Sequence, residues 1–423
     1  MSRPALGLAV AAVLTFSGAA AARDLYVNAQ TGVDGAAGDR RAPLRSLTQA
    51  AERLRPGDVL HIAGGVYREP LVLARSGAPD APIVVRGEGR PLIETPGEAV
   101  NITGSYIRVE GLEVHALDWG SAVAVGKHNH HVTINDNILR DSGCGGVSAQ
   151  YTDYLTVTRN TAFGNARRAP WQCSGLSLYH PEAFDRRKGL HNLFADNVSF
   201  DNQNVFVDDA VSHSGGMTTD GNGIIIDDAD HTQADTSDPP YEGMTLITNN
   251  LVFGNGGRGV HVFHSSNVVI VRNVAYLNLK DPLLQQRPAG EISVMFSRRV
   301  SVVDNIAVAR PGEYPLFDGY GPDAGLWRGN IYQSDLPPRV EHARTEIGPD
   351  NRRRDPGFIR PRSEPGGDFA LRPDSPARRA GAAYRLVDDA APELTAGASD
   401  VGLIAGRPIG ARQVVPTGRS VAP

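Results

Sequence analysis

The stretch that decides the fold is SAVAVGKHNHHVTINDNILRDSGCGGVSAQYTDYLTVTRNTAFGN, residues 121–165, in which one pattern occurs twice in succession. Each copy contains short runs of alternating apolar residues followed by an asparagine, and these asparagines, Asn137 and Asn160, are 23 residues apart. A unit of this length is too short for two parallel strands joined by a helix. Short β-branched runs repeated at this period predict a parallel β-helix in which each repeat forms one coil.

The same pattern continues down the chain with longer connections in places. Its shared asparagines are Asn137, Asn160, Asn197, Asn250, Asn273, Asn305 and Asn330. Stacked coils lie about 4.8 Å apart and bury a continuous apolar column. We predict that each asparagine adopts the left-handed conformation and pairs its amide with the neighbouring coils, which is a structural and not a catalytic role.

A second alternating run recurs between the asparagines and predicts a sheet with one exposed face. Its inward positions are Val123, Val147, Leu176, Ile224, Val260 and Ile292. One outward row is Ala124, Ser148, Ser177, Ile225, His261 and Ser293, and the other is Gln150, Tyr179, Asp227, Phe263 and Met295. Hydroxyls, an imidazole, a carboxylate and aromatic rings on one wall predict a sugar-binding face.

The two cysteines test this register. Cys144 and Cys173 occupy the same place in neighbouring coils. Stacked neighbours lie within disulfide reach, so the pattern is compatible with a disulfide or with two buried thiols.

The ends of the chain predict three parts. Residues 1–22 have a basic start, an apolar run and a small-residue end, which is typical of a cleavable signal peptide and predicts a secreted or periplasmic protein. Residues 23–335 are predicted to form an all-β, single-stranded, right-handed parallel β-helix with an N-terminal capping helix. That helix should bury Leu44, Leu47, Ala50, Ala51 and Leu54. Residues 336–423 are predicted to form a C-terminal cap and tail.

The composition excludes several classes of protein. The 423 residues are 41% hydrophobic and 21% charged, which is a globular balance, and the net charge is −5. That charge argues against a nucleic-acid-binding protein. Beyond the N-terminus no apolar run approaches the roughly 20 residues of a transmembrane helix. We expect a monomer without a transmembrane segment.

At this point the sequence resembles a known group. The capping helix followed by PGDVLHIAGGVYRE (residues 56–69), the asparagine coils, and the closing runs DPGF (355–358), DFAL (368–371), SPA (375–377) and DVG (400–402) resemble secreted β-helix proteins of the pectate-lyase-like superfamily. The resemblance covers roughly residues 25–402. It implies the fold, whereas the superfamily contains lyases, hydrolases, epimerases and members with no known reaction.

Residues 219–226, TDGNGIII, are similar to a strand of the ninth polysaccharide lyase family, in which an outward lysine acts as the base. Here that position is Ile225, so either the base lies elsewhere or the reaction differs. The candidate catalytic residues are Arg258, His261, Lys280 and Asp227.

The longest insertion, between Asn197 and Asn250, is rich in carboxylates. Hard oxygen ligands at this density predict a Ca²⁺ site formed by Asp208, Asp209, Asp220 and Asp227, against the alternative of a solvated acidic loop. The candidate substrate-binding residues are Tyr179, His180, Trp171 and Phe263, since rings stack on sugar faces.

These features favour a polysaccharide lyase that cleaves a uronate-containing poly- or oligosaccharide by β-elimination. A glycoside hydrolase is the alternative enzyme, in which Asp227 pairs with Asp209 or Asp220. The third hypothesis is a non-catalytic β-helix that binds glycans or serves a structural role in the cell envelope.

Overall fold

The structure is a computed structural model that describes residues 22–126, 128–205, 216–233, 238–284, 287–320, 325–341 and 345–378. The predicted signal peptide, apart from its last residue, and the predicted tail lie outside the described residues. Among the helices of this described part, none has the length and apolar character needed to cross a bilayer.

The described chain consists of short strands and one helix, α1 (Leu47–Arg53). The first strands are β1 (Asp24–Val27), β2 (Val59–Ala63), β3 (Val66–Tyr67), β4 (Leu71–Leu73), β5 (Ile83–Glu88), β6 (Leu92–Thr95), β7 (Val100–Ile102), β8 (Ile107–Glu110), β9 (Glu113–Ala116), β10 (Val123–Val125), β11 (His130–Asn135) and β12 (Ile138–Arg140). The middle strands are β13 (Val147–Gln150), β14 (Asp153–Thr158), β15 (Thr161–Phe163), β16 (Leu176–Tyr179), β17 (Leu190–Ala195), β18 (Val198–Phe200), β19 (Ile224–Asp227), β20 (Met244–Thr248), β21 (Leu251–Phe253), β22 (Val260–Phe263), β23 (Ser266–Val271) and β24 (Val274–Tyr276). The last strands are β25 (Gly290–Met295), β26 (Arg298–Val303), β27 (Ile306–Val308), β28 (Tyr314–Gly319), β29 (Leu326–Arg328), β30 (Ile331–Gln333), β31 (Arg339–Val340), β32 (Glu346–Ile347), β33 (Arg352–Arg353), β34 (Phe358–Arg360) and β35 (Asp368–Leu371).

Successive strands along the chain belong in turn to three long parallel sheets, which confirms the predicted parallel β-helix. The 12-stranded sheet has the order β1-β2-β5-β8-β11-β14-β17-β20-β23-β26-β29-β32. The 11-stranded sheet has the order β3-β6-β9-β12-β15-β18-β21-β24-β27-β30-β33. The 10-stranded sheet, called here the groove sheet, has the order β31-β28-β25-β22-β19-β16-β13-β10-β7-β4. The division predicted between residues 335 and 336 stays a prediction, and β31 to β33 extend the sheets beyond it.

The register of the groove sheet is the predicted one. Val123 pairs with Val147, Val147 with Leu176, and the series continues through Ile224 and Val260 to Ile292. All six side chains are buried in the column. Because side chains alternate along a strand, this pairing places the predicted polar rows together on the outer face.

The N-terminal end of the column is covered as predicted. Helix α1 begins after Ser46, whose hydroxyl accepts a hydrogen bond from the backbone of Gln49. The predicted helical face of Leu44, Leu47, Ala50, Ala51 and Leu54 is buried. The helix therefore shields the apolar end of the first coils from solvent.

An asparagine ladder joins the coils, but its backbone differs from the prediction. Oδ1 of Asn160 accepts hydrogen bonds from both the backbone N and Nδ2 of Asn137, at 3.0 and 3.1 Å. The same pair of bonds recurs from coil to coil as far as Asn351. The left-handed residue is the one before each asparagine, such as Asp136 with φ 56° and Arg159 with φ 56°. The prediction for the asparagines themselves was wrong, because their own N–H must point along the column to the next coil.

A second ladder lies one corner further along each coil and was not predicted. It begins at Ser142 and runs through Asn165, Asn202, Asn255 and Asn278. It ends on Glu291, whose two carboxyl oxygens accept from the backbone N and Nδ2 of Asn278, at 2.8 and 2.6 Å. Glu291 is fully buried, and this burial raises its pKa to about 8.

Cys144 and Cys173 form a disulfide, with their Cα atoms 5.2 Å apart. This resolves the alternative that the sequence leaves open and ties the segment before β13 to the segment before β16.

The segment predicted as a C-terminal cap packs, in its described part, along the flank of the column. Strands β34 and β35 form an antiparallel pair. Phe369 of β35 contacts Phe253 and Tyr276 on the outer face of the 11-stranded sheet, with ring centroids 5.4 and 5.2 Å apart. The segment therefore covers an apolar outer face and leaves the groove sheet exposed.

Candidate active-site groove

A groove of about 890 Å³ runs along the outer face of the groove sheet. It extends from Asn101 on β7 to Phe263 on β22, across six neighbouring strands. Five steps of about 4.8 Å make it roughly 24 Å long. This length suits several consecutive sugar units of a linear glycan.

The two predicted outward rows form the floor of this groove as far as β22, whereas their members on β25, Ser293 and Met295, are fully buried and do not line it. Ser148, Ser177, Ile225 and His261 follow one another in direct register, and each lines the groove. Gln150, Tyr179, Asp227 and Phe263 form the parallel row and also line it. The sheet therefore brings together residues from distant parts of the sequence, as its register predicts.

Two carboxyl groups from the acidic insertion and its strand share the floor. Asp220 accepts a hydrogen bond from Nδ2 of Asn222 at 2.7 Å, and Asp227 accepts one from Nε2 of Gln233. Burial raises the pKa of Asp220 to about 6, although Arg258 and Asn222 oppose the shift. Burial, together with the negative charges of Asp220 and Asp228, raises the pKa of Asp227 well above its usual range. The site thus concentrates carboxyl groups that resist ionisation when no cation is near them.

His261 lies on the groove floor, and the residue is 2% exposed. Neither ring nitrogen makes a hydrogen bond to any described residue. Burial, with the positive charges of Arg258 and His264, lowers the pKa of His261 well below 6.5, so the imidazole is neutral at neutral pH. A buried polar group without a partner costs on the order of 1–3 kcal/mol, so this ring is poised to accept a partner from a bound ligand.

Arg258 is fully buried and is not among the residues that line the groove. The residue belongs to the turn before β22, where its Nη1 donates to the carbonyl of Thr219 at 3.1 Å and its backbone N donates to Asn222. Burial lowers the pKa of Arg258 to about 10, and the charge of Asp220 opposes this shift. The guanidinium is therefore charged at neutral pH, and its charge tends to lower the pKa of both Asp220 and His261.

Lys280 is not brought to the groove. Its Nζ forms an ion pair with Asp201, a residue that follows β18 of the 11-stranded sheet. The structure therefore gives no geometric support for Lys280 as a base.

The predicted substrate-binding residues divide into two sets. Tyr179, Phe263 and Trp171 line the groove, and Trp171 is 39% exposed. Burial raises the pKa of Tyr179 to about 12, so its phenol stays protonated. His180 does not line the groove, because it has φ 47° and leaves the alternation of β16. Its ring instead contacts Asp228 and His231.

Of the four predicted calcium ligands, Asp220 and Asp227 line the groove together. Asp208 and Asp209 lie outside the described residues. The four-residue ligand set therefore stays a prediction. The structure places two of its members, Asp220 and Asp227, on the groove floor.

Several groove residues were not identified from the sequence. Gln233, His264 and Tyr151, which follow strands β19, β22 and β13, also line the groove. Trp119 is 58% exposed and packs edge-on against Trp171, with ring centroids 5.9 Å apart. Trp119 does not itself line the groove, and its contact with Trp171 had no signal in the sequence, because exposure and packing of a tryptophan are visible only in the structure.

Comparison with known proteins places the chain among similar folds. A family model described as the Pel9A-like, right-handed β-helix region matches residues 25–286, which confirms the predicted handedness. Pectate lyase PEL9 of Emericella nidulans is 24% identical over 371 residues, covering 73% of this chain and 84% of the relative. The crystal structure of pectate lyase Pel9A is similar with a TM-score of 0.53 and 15% identity, covering 91% of this chain and 96% of that chain. At this identity the structural likeness shows the fold alone.

Proposed function

Because the chain belongs to the Pel9A-like right-handed β-helix family, we propose that it is a polysaccharide lyase that cleaves a uronate-containing glycan by β-elimination. The groove sheet provides the binding surface. In line with the signal-peptide prediction, we place the enzyme outside the cytoplasm, in the periplasm or the medium.

The observation that supports the proposal most directly is the neutral, unpartnered imidazole of His261 in the groove. A general base must be deprotonated at the working pH and must lie beside its substrate. His261 meets the first requirement because burial, together with the positive charge of Arg258, lowers the pKa of the ring. A glycan bound along the floor would supply the hydrogen-bond partner that the ring lacks.

In the proposed reaction His261 takes the proton from the carbon next to the uronate carboxylate. The electron pair left on that carbon forms a double bond to the neighbouring ring carbon. The bond between this neighbouring carbon and the glycosidic oxygen breaks. The departing oxygen takes a proton from solvent. The buried guanidinium of Arg258 adds positive potential near His261, which favours the negative charge that develops on the substrate.

Ca²⁺ fits the donor chemistry of the floor. Asp220 and Asp227 are hard oxygen donors whose raised pKa values reflect burial without enough positive charge, which a divalent cation would relieve. They supply fewer oxygens than the roughly six to eight that Ca²⁺ takes, so Asp208, Asp209, water and the substrate carboxylate would complete the set. When bound, the ion would make the proton beside the carboxylate more acidic.

A glycoside hydrolase is the second candidate, and one observation favours it. Asp220 and Asp227 lie on the same floor with raised pKa values, as expected for a carboxyl pair in which one member donates a proton. In that reaction the two aspartates would be the acid and base, and no cation would be needed.

The test is incubation of the purified protein with a panel of uronate polymers, with added Ca²⁺ or with chelator. A lyase produces unsaturated ends that absorb in the ultraviolet, and we expect this absorbance to require Ca²⁺. New reducing ends without that absorbance, insensitive to chelator, would favour hydrolysis. Retention of a glycan without turnover would show a binding protein and contradict both enzymatic proposals.

A further inference from the structure

A second cluster of ligand-type side chains lies outside the groove, at the end of β16. His180, Glu182 and Asp238 each offer one nitrogen or oxygen atom, and these three atoms lie within 4.8 Å of one another. His180 and Glu182 follow β16 directly. Asp238 belongs to residues 228–243 between β19 and β20, called here the excursion after β19. The cluster therefore joins two segments that are far apart in sequence.

His180 provides an independent sign of a missing ligand. Its side chain is 1% exposed, and no described residue forms a hydrogen bond with its Nε2. That nitrogen points toward the cluster, with Oδ2 of Asp238 4.0 Å away. The separation is too long for a hydrogen bond but close to the roughly 3.3 Å expected between two ligands of a tetrahedral ion bound at about 2.0 Å.

The surroundings of the cluster resemble an outer coordination shell. Nδ1 of His180 is joined to Oδ2 of Asp228 by a hydrogen bond of 2.7 Å, which directs the lone pair of Nε2 away from Asp228 and toward the cluster. The ring of His231 stacks on the ring of His180, with centroids 3.9 Å apart. Glu182 accepts a hydrogen bond from His128. His180 and Glu182, the two ligands that follow β16, are thus each held by a neighbouring side chain.

We propose that His180, Glu182 and Asp238 bind a divalent transition-metal ion, for which Zn²⁺ is the best match. A buried imidazole nitrogen is a poor ligand for Ca²⁺, which prefers oxygen, and a good ligand for Zn²⁺. Three protein ligands leave one position of a tetrahedral ion for water. This site is separate from the carboxylates of the groove floor.

The ion would fasten the excursion after β19 to the end of β16. The same excursion carries Gln233, which donates a hydrogen bond to Asp227 on the groove floor. Oδ1 of Asp228 also accepts from the backbone of Thr232 and Gln233, at 2.8 and 2.9 Å. Metal binding would therefore hold the segment that borders the groove, as a positioning device and not as part of the chemistry.

The experiment measures Zn²⁺ binding to the full chain after chelator treatment, by equilibrium dialysis with elemental analysis in a large excess of Ca²⁺. We expect one tightly held Zn²⁺ per chain. Glu182→Gln and Asp238→Asn should each weaken it by at least about 100-fold, the upper end of what outer-shell changes cost. Glu242→Gln, which removes an exposed carboxylate from the same excursion, should leave the affinity unchanged.

Co²⁺ supplies a second readout, because its visible absorption reports the coordination geometry and should be lost with the same two substitutions. Failure to retain Zn²⁺, or retention that is insensitive to both substitutions, would overturn the proposal. Retention that is lost in Asp220→Asn would also overturn it, by moving the ion to the groove. None of these measurements depends on lyase activity, so the result stands apart from the proposed function.

Discussion

Ile225 and His261 are direct neighbours in one outward row of the groove sheet, paired in the parallel register of β19 and β22. The resemblance to the ninth polysaccharide lyase family assigns a basic lysine to the position of Ile225. The candidate base therefore lies one strand further along the same row, about 4.8 Å away. A shift of one coil keeps the base on the same floor, which is a property of stacked parallel strands.

His261→Gln should abolish most of the proposed lyase activity. General base catalysis contributes about 10²–10⁴-fold, so kcat/KM should fall by that factor while the far-ultraviolet circular dichroism stays unchanged. The lowered pKa of His261 also predicts that protonation of this residue does not limit the wild-type rate near pH 6.5, where an ordinary histidine becomes protonated. His61→Gln, on the 12-stranded sheet, is the control. Full activity of His261→Gln would remove His261 from the reaction.

Trp171→Ala should weaken substrate binding without slowing the chemical step. The exposed ring lies at the groove, where it can stack on a sugar face, and its loss should raise KM roughly 10-fold with little change in kcat. Phe184→Ala removes a comparably exposed ring that packs on His130 away from the groove, and should leave KM unchanged. Steady-state kinetics on a polymeric substrate measure KM and kcat for both variants. An unchanged KM in Trp171→Ala would contradict a role of Trp171 in substrate binding.

Asn250→Ala should destabilise the column by at least about 3 kcal/mol, measured by denaturant unfolding. Asn250 accepts two hydrogen bonds from Asn197, and its Nδ2 donates to Oδ1 of Asn273 at 2.9 Å. Each buried group left without a partner costs on the order of 1–3 kcal/mol. Asn351→Ala, at the partly exposed end of the ladder, should cost less. Equal losses at the two sites would contradict a continuous ladder.

Replacing Cys144 and Cys173 together with alanine should lower the free energy of unfolding. The disulfide spans 29 residues, for which chain entropy predicts about 3.5 kcal/mol. Treatment of the wild type with a reductant should lower its melting temperature to about that of the double variant. The melting temperature of the double variant should not respond to the reductant. A reductant effect that persists in the variant would point to a cause other than this bond.

Stability should fall as the pH rises through the weakly acidic and neutral range because of Glu291. Its folded pKa of about 8 lies above the ordinary 4.5, so between these values the folded state holds a proton that the unfolded state has released. The resulting loss is at most about 1.4 kcal/mol per pH unit. Glu291→Gln should flatten the profile of unfolding free energy against pH. An unchanged slope would show that Glu291 is not the group responsible.

Much of the fold was predictable from local pattern. Val147 and Leu176 were assigned to one inward row because alternation within a strand and a constant turn between strands leave little freedom of register. The same regularity predicted that Asp227 and His261 share one wall. Such inferences hold wherever a coil keeps its length.

The inferences failed where the chain leaves the repeat. His180 was predicted to face the glycan, yet its left-handed backbone turns it into a buried cluster with Asp228. Arg258 is a predicted catalytic residue, yet in the turn before β22 it is fully buried and does not line the groove. Backbone conformation at strand ends depends on the packing of adjacent coils, which alternation does not report.

The amino-acid sequence by itself determined the coil period, the inward and outward rows, the capping helix and the shared position of the two cysteines, because each follows from side-chain alternation or spacing along one strand. Only the tertiary structure decided which carboxyl groups share a floor, that His261 lacks a partner, and that Asp238 meets His180. These last features depend on how the long excursions fold over the column, and their residues contact segments tens of positions away.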